Sequence, residues 1–310
     1  MFVFCITILI YGCNVLGEKP TPTTTSISIP DASFGNAVAV GRNDLLSISD
    51  GNGGVHIYHF SSGAWNVVHK IETPSTCNVL VMQNYTIACG GVYVYEGNPA
   101  NLSDWQIQIS LQSAPELCIC MGLPYLAQCN AKTCYVWMKD QASGHWQPGP
   151  FAQFPLQTQS CAITDTFFAA IDNQNFLQIS YPPFASVSSW GALLPNSSHI
   201  VAASGTFLAV NDYNEQGDIG VYVVENQHIS STVSLIANTT GFHISGLQGE
   251  MLWAGSSAEQ SVWLLQANGS SSGPEATFAP TEPIQTCDSY GATLACGVPS
   301  QNATDIFSCT

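Results

Sequence analysis

One short pattern recurs seven times along the chain, and this repetition limits the fold more than any other feature. Each copy contains an apolar run of three to five residues, and successive runs are about 41 residues apart, a period in the range of propeller repeats. The runs occupy residues 45–48, 86–89, 125–127, 167–171, 207–210, 251–254 and 293–296. Several short strands per unit at this period are typical of a β-propeller. The sequence therefore predicts an all-β fold, a seven-bladed β-propeller.

The first repeat divides into four strands. Residues 36–40 and 45–49 form the first two, and the glycine-rich turn 50–54 follows them. Glycine tolerates the positive φ angles that tight turns require. Residues 55–60 alternate between apolar and polar side chains as a third strand should, and residues 65–71 form the outer strand.

The last repeat stops after its third strand, and an N-terminal strand can complete it. Residues 26–29 alternate polar and apolar side chains ahead of the first repeat. Pairing them with the last repeat would close the ring and remove exposed sheet edges. Two stacked β-sandwiches, the other all-β architecture, do not explain the regular period. We place the propeller at residues 26–310, with blades at about 30–75, 76–116, 117–157, 158–198, 199–241, 242–283 and 284–310 plus 26–29.

Charge excludes one class of partner. Only 8% of the residues are charged and the net charge is −16, with five lysines and arginines in total. A surface of this sign repels phosphate backbones and anionic membranes. We therefore expect no nucleic-acid binding.

The N-terminus has the composition of a secretory signal. Residues 1–17 contain an apolar run followed by small residues, which suits cleavage before Glu18. An uncleaved membrane anchor is a weaker interpretation, because the run is shorter than the ~20 residues that a bilayer needs; a lipoprotein signal ending at Cys13 is another alternative. Residues 18–25 form a Pro/Thr-rich spacer. We expect a secreted protein or one on the extracellular surface, without membrane insertion once the signal is removed.

Cysteines support the same location. Ten remain after residues 1–17, and an even number behind a secretory signal favours disulfides. Three pairs flank single hairpins: Cys77 with Cys89, Cys129 with Cys134, and Cys287 with Cys296, although Cys309 is an alternative partner for Cys296.

Three further cysteines, Cys118, Cys120 and Cys161, are expected on inner strands of neighbouring blades, where one bridge between blades could form. A zinc site that combines Cys118 and Cys120 with the Cys129 hairpin has poor spacing for tetrahedral geometry. We also predict N-glycosylation between strands at six Asn-X-Ser/Thr sequons. These are Asn84, Asn101, Asn196, Asn238, Asn268 and Asn302.

The first repeat resembles an FG-GAP repeat of the integrin-α-like propeller family. Phe34 and Gly35 stand where the family has its Phe-Gly pair, Leu-Ser-Ile-Ser-Asp-Gly at 46–51 matches the second strand and its turn, and Gly-Val-His-Ile-Tyr-His-Phe at 54–60 is similar to the third strand. The later repeats match less closely. The resemblance implies a propeller used for extracellular adhesion and protein recognition.

Tryptophan recurs in the first four repeats. Trp65 begins the outer strand of the first repeat, and Trp105, Trp146 and Trp190 stand at the corresponding place in the next three. We interpret them as large rings that fill the gaps between blades. The alternative is a ring of platforms that stack on sugars.

Calcium is the one cofactor that the resemblance raises, because some repeats of the family carry an acidic calcium loop. Residues 212–218 offer Asp212, Asn214 and Asp218 as oxygen ligands. This segment lies between the second and third strands of its repeat, whereas the family loop lies between the first and second. We interpret it as a hairpin turn, with a calcium site as the alternative.

Catalytic groups are sparse in the sequence. A glycosidase needs two carboxyl groups that converge on one cavity, and the inner strands offer Asp165 and Asp288, which we place at strand ends. Sialidase-type propellers hold their acidic sugar with several arginines, and Arg42 is the single arginine here. We therefore expect a protein that is not an enzyme.

The sequence thus favours a recognition or adhesion protein that binds an extracellular protein or glycan. We expect binding on the face made by the turns between second and third strands and by the connections between consecutive blades. The candidate residues are Asp50, Asn52, Tyr213, Asn214, Glu215 and Asp218. Two alternatives stay open: a lectin that uses aromatics beside carboxylates, and a self-associating structural subunit of an extracellular or virion-surface assembly, since few charges must be desolvated on association.

Overall fold

Within the residues that the computed structural model describes, the regular secondary structure consists of β-strands only. These residues are 22–28, 35, 37–42, 44–50, 53–74, 76–90, 93–111, 116–185, 188–193, 201–211, 218–236, 239, 242–256, 258–280, 284, 286–290, 293–298 and 303–309. None of them forms a helix long and apolar enough to cross a bilayer.

The strands form seven antiparallel sheets, one for each predicted repeat, so the seven-bladed β-propeller is confirmed. The first three blades comprise β2 Val38–Gly41, β3 Leu45–Ser49, β4 Gly54–Ser61 and β5 Ala64–Glu72; β6 Leu80–Gln83, β7 Thr86–Cys89, β8 Tyr93–Asn98 and β9 Asn101–Ser110; and β10 Glu116–Gly122, β11 Tyr125–Asn130, β12 Thr133–Met138 and β13 Ala152–Pro155. Blades 4 and 5 comprise β14 Thr158–Ile163, β15 Phe168–Asp172, β16 Phe176–Ser180 and β17 Ser188–Leu193; and β18 Val201–Ser204, β19 Phe207–Val210, β20 Ile219–Glu225, β21 His228–Ile229 and β22 Ser234–Ile236. Blades 6 and 7 comprise β23 His243–Gln248, β24 Met251–Gly255, β25 Gln260–Leu264 and β26 Pro274–Phe278; and β27 Thr286–Tyr290, β28 Thr293–Val298, β29 Ala303–Cys309 and β1 Pro22–Ser28.

Blade 7 joins the two ends of the chain, as the sequence predicts. The N-terminal strand β1 pairs with β29 in an antiparallel register that runs from Pro22 opposite Cys309 to Ser28 opposite Ala303. The predicted boundary of this strand needs correction, because β1 begins inside the predicted spacer at Pro22. Backbone pairing with β29 requires no apolar side chains, and threonine favours extended backbone. The Pro/Thr segment can therefore serve as an outer strand.

The core consists of seven apolar clusters, and each lies between two neighbouring blades. Between blades 6 and 7, for example, Phe278 lies 5.6 Å from Trp253 and 5.4 Å from Phe307, measured between ring centroids. Strands such as β3 and β24 are buried along their whole length. Because a neighbouring blade covers each face of such a strand, apolar residues follow one another without alternation.

The described tryptophans of the first repeats pack as structural rings. Trp65 on β5 and Trp105 on β9 lie in outer strands and pack against the clusters between blades. Trp146 is buried, but it lies in the connection between β12 and β13 and not in the outer strand. Its backbone forms an isolated antiparallel β-bridge with Lys139. The side chain of Trp190 lies outside the described residues.

All three predicted hairpin disulfides are present, Cys77–Cys89, Cys129–Cys134 and Cys287–Cys296. Two of them join adjacent strands of one blade, and Cys77–Cys89 joins β7 to the segment before β6. Disulfides of this kind are consistent with an extracellular protein.

Three of the six sequons can be placed. Asn84 lies in the turn between β6 and β7, and Asn268 is exposed in the connection from β25 to β26. Asn101 is the first residue of β9, which corrects the prediction that every sequon falls between strands. The others, Asn196, Asn238 and Asn302, lie outside the described residues.

Candidate functional site

The blade topology divides the turns between two faces of the ring. Successive strands of a blade are antiparallel, so the turns between second and third strands, together with the connections between blades, lie on one face. We call it the linker face. The turns between first and second strands, and between third and fourth strands, lie on the opposite side, which we call the hairpin face. Asp50 and Asp218, two of the predicted binding residues, belong to the linker face.

Asp50 directly follows β3 and is 1% exposed. Its Oδ1 atom accepts a hydrogen bond from the Gly54 backbone N–H at 2.7 Å, and its Oδ2 atom lies 3.0 Å from His56 Nε2 and 3.4 Å from Lys70 Nζ. A side chain at Gly54 would collide with the carboxylate and with Lys70. Lys70 also pairs with Glu72 at 3.2 Å, and the hydrogen bond to Glu72, followed by the charge of Asp50, raises the pKa of the lysine. Asp50 thus organises its own turn.

In blade 4, an aspartate likewise accepts hydrogen bonds from the backbone of the corresponding turn. Asp172 ends β15, and its Oδ1 atom accepts hydrogen bonds from the backbone N–H groups of Gln174 and Phe176, both at 2.9 Å. Its Oδ2 atom accepts one from the Gln178 side chain at 2.6 Å. A carboxylate at this position satisfies backbone N–H groups that the turn would leave without partners. This gives Asp50 a structural explanation, while its role in binding stays a prediction.

The other predicted ligand and metal residues can be placed only in part. Residues 212–217 and Asn52 lie outside the described residues. Asp218 is half-buried immediately before β20, so the segment 212–218 does connect a second strand to a third. The calcium alternative at Asp212, Asn214 and Asp218 stays a prediction.

A groove of about 720 Å³ lies on the hairpin face between blades 4 and 5. Asp165 contributes from the turn between β14 and β15, and Tyr181 follows β16. Glu225, Asn226 and Gln227 contribute from blade 5. Asn226 and Gln227 both have positive φ angles, 51° and 61°. Two such residues between paired strands are typical of a type I′ hairpin turn, which here presents two amides beside the Glu225 carboxylate.

The groove is acidic. Asp165 and Glu225 are exposed, and no lysine or arginine is found among the described residues that line it. Burial raises the pKa of the Tyr181 hydroxyl, so this group is neutral at physiological pH and can donate a hydrogen bond. Two carboxylates without a nearby cation attract a positively charged group. The volume falls within the range of about 300–1,000 Å³ that small-ligand sites occupy.

This groove is not predictable from the sequence pattern alone. Its lining comes from four turns in two blades, so no continuous motif encodes it. The one local signal is Asn226 between two alternating stretches, because asparagine tolerates the positive φ of a tight turn.

A second cavity of about 180 Å³ lies on the axis of the ring. The first strands of all seven blades line it, mostly with apolar residues. Asp288 is the one carboxyl group among the described residues of its lining. It accepts a hydrogen bond from the Val40 backbone N–H at 2.8 Å, and burial raises its pKa to about 7 against the opposing effect of the Val40 and Ser289 N–H groups.

The two inner-strand carboxyls lie in different places. Asp288 is in the middle of β27, which corrects the prediction that it ends a strand. Asp165 lies in a turn on the hairpin face and lines the groove, not the axial cavity. Paired acid and base chemistry requires two carboxyls at one site, and the described residues do not bring Asp165 and Asp288 together.

The comparisons with known proteins support the architecture. No protein-family model matches the sequence, and no curated protein matches it. Among solved structures, the Pan2 WD40 domain of Neurospora crassa superposes with a TM-score of 0.64 at 12% identity, covering 94% of this chain and 96% of that chain. The β-propeller domain of Cps50 (Swd1) from Myceliophteria thermophila gives a TM-score of 0.64 at 15% identity, covering 94% and 100%. At identities this low, the superposition establishes a shared fold and nothing further. The chain is a seven-bladed β-propeller whose fold resembles that of these two propeller domains.

Proposed function

We propose that this protein is a non-enzymatic recognition protein that acts outside the cell, and that it binds a lysine- or arginine-containing segment of a partner protein in the groove between blades 4 and 5. The observation that carries the proposal is the groove itself, where Asp165 and Glu225 face open volume with no lysine or arginine in the described lining. Two of the four lysines and arginines in the described residues, Lys70 and Lys139, pair with carboxylates elsewhere.

Three features of the chain support an extracellular location. The signal-like segment 1–17, the six sequons and the three hairpin disulfides are all typical of secreted proteins. The resemblance of the first repeat to integrin-α-like propellers supports adhesion as the biological setting. Membership of that family is part of the proposal.

A charge-neutralising pair of substitutions tests the groove. The probe is a short fluorescein-labelled polylysine peptide, and its affinity for the folded chain is measured by anisotropy at low and at physiological salt. Each exposed ion pair contributes about 0.7 kcal/mol, so D165N/E225Q should weaken binding about tenfold. The capture of secreted partner proteins by wild type and by D165N/E225Q follows with the same protein samples.

The matched control is E259Q, which removes an exposed carboxylate on the linker face. It should change the affinity less than about twofold. The single substitution E225Q is measured beside it, and equal effects of E259Q and E225Q would show that the net charge of −16 attracts the peptide without a defined site. That result would reject the groove.

A glycan is the second candidate ligand for the same groove. Tyr181 lies beside carboxylates and the amides of Asn226 and Gln227, and an aromatic ring with polar neighbours also suits a neutral sugar. A sugar site would bind glycans with little salt dependence. Binding on a glycan array that D165N/E225Q abolishes, together with no preference for polylysine, would favour the lectin.

Self-association is favoured by a different observation. Val67 on β5 and Ile107 on β9 are 58% and 57% exposed, and these two outer strands contact one another. Apolar side chains on adjoining outer strands could bury each other between copies of the ring. A monomer at all concentrations in sedimentation equilibrium would count against a role as an assembly subunit.

A further inference from the structure

Three cysteines outside the hairpin disulfides converge between blades 3 and 4. Cys118 and Cys120 lie two residues apart on β10, so their side chains share one face of the strand. Cys161 lies on β14, the first strand of the next blade. All three are buried. The sulfur atoms of Cys118, Cys161 and the disulfide-bonded Cys129 lie within 4.8 Å of one another.

The distance between two of these sulfur atoms distinguishes shared metal coordination from a disulfide bond. Cys118 Sγ lies 2.8 Å from Cys161 Sγ, which is closer than van der Waals contact. Two thiolates on one tetrahedral zinc would be about 3.8 Å apart, because each Zn–S distance is about 2.3 Å. A covalent S–S bond is about 2.05 Å long. The approach is therefore too close for shared metal coordination, and a small side-chain adjustment completes a bond.

We propose that Cys118 and Cys161 form a fourth disulfide, which joins the first strands of blades 3 and 4 covalently. The three hairpin disulfides each act within one blade or its leading segment, whereas this bond would cross an interface between blades. Cys120 would remain a thiol beside it.

The bond forms by ordinary thiol–disulfide exchange with a disulfide-bearing oxidant. One thiolate, from Cys161, attacks a sulfur of the oxidant's disulfide and releases one oxidant thiolate. The Cys118 thiolate then attacks the Cys161 sulfur of this mixed disulfide and releases the second. Two cysteine thiols are thereby oxidised to one disulfide, the oxidant's disulfide is reduced to two thiols, and the two protons pass to the released thiolates.

Burial then preserves the bond. Desolvation raises the pKa of the Cys120 thiol, and it raises that of unbridged Cys161 well above its usual value. A thiol kept protonated is a poor nucleophile. Cys120 therefore exchanges slowly with the neighbouring disulfide once the two blades have closed.

The test maps the cysteines of the full chain, secreted under oxidising conditions. The protein is denatured in N-ethylmaleimide without reductant, digested, and sequenced by tandem mass spectrometry. We expect a cross-linked peptide that joins Cys118 to Cys161, with the maleimide on Cys120. The variant C120S should retain the cross-link and carry no label at Cys118 or Cys161.

Several results would overturn the proposal. Labelling of both Cys118 and Cys161 in wild type would show two thiols. A cross-link from Cys161 to Cys120, or from Cys118 to Cys129, would assign a different bond. Stoichiometric zinc by elemental analysis, with labelling of these cysteines only after chelation, would replace the disulfide with a metal site.

Discussion

The axial carboxyl group of Asp288 should make the stability of the ring depend on pH. The side chain is half-buried in the wall of the axial cavity, and burial raises its pKa to about 7. An aspartate in the unfolded chain titrates near about 3.9. Between these two values the folded protein binds more protons than the unfolded chain does. The free energy of unfolding therefore falls as the pH rises through this window.

The size of the effect follows from the shift. Three pKa units correspond to about 4 kcal/mol. Solvent screening of this half-buried group reduces the effect, so we expect about 2–4 kcal/mol at about pH 8. The substitution D288N removes the ionisable group, and its side-chain oxygen can still accept the Val40 N–H. D288N should be more stable than wild type by that amount at about pH 8 and equal to it within about 0.5 kcal/mol at about pH 4.

Urea denaturation of wild type and D288N across this pH range measures the difference directly. The comparison cancels the titration of every other group. D165N makes the same chemical change at an exposed carboxylate and should shift stability by less than about 0.5 kcal/mol at any pH. The reasoning would be refuted if the stability difference between D288N and wild type did not change with pH. It would also be refuted if D288N had a lower free energy of unfolding than wild type at every pH.

Three further expectations follow from the fold. Asp50→Ala should lower the free energy of unfolding, measured by urea denaturation, by about 2–4 kcal/mol, because the Gly54 N–H and His56 lose a charged partner. A loss below about 0.5 kcal/mol would contradict this. A chain without β1 should self-associate through the uncovered edge of β29, and sedimentation of a stable monomer would argue against closure by that strand. Serine at both Cys77 and Cys89, which are separated by 12 residues, should cost about 3 kcal/mol by loop entropy, as measured by denaturation without reductant; an unchanged midpoint would mean that the pair is dispensable.

Sequence reasoning succeeded where the determining interactions are local. The runs of the second strands repeat because each is covered by two neighbours, and a run of this kind is visible without knowing which neighbours these are. Hairpin disulfides follow from the same logic, since Cys129 and Cys134 lie on strands that a short turn must join. The closing strand was found from alternation, although its start at Pro22 was not, because backbone pairing leaves little trace in side chains.

Sites at which residues from different blades meet were not predictable from the sequence. Asp165 and Glu225 are far apart in the chain and face the same groove only because blades 4 and 5 are adjacent. Asp288 was predicted at a strand end but lies in the middle of β27, where burying a carboxyl group is costly. The Val40 N–H from the neighbouring blade offsets part of that cost, and this contact was not visible in the sequence.

The proposed disulfide between blades 3 and 4 should affect the groove, because it would hold blade 4 in position. Each cluster joins two neighbouring blades, so blade 4 is held by one interface on each side. The distance between Asp165 and Glu225 depends on the interface with blade 5, and a bond through Cys161 would fix the opposite side of blade 4. C161S should therefore weaken polylysine binding although it changes no groove residue, whereas serine at both Cys77 and Cys89 should not. If the C161S protein binds the peptide as tightly as wild type does, the groove is set by blades 4 and 5 alone.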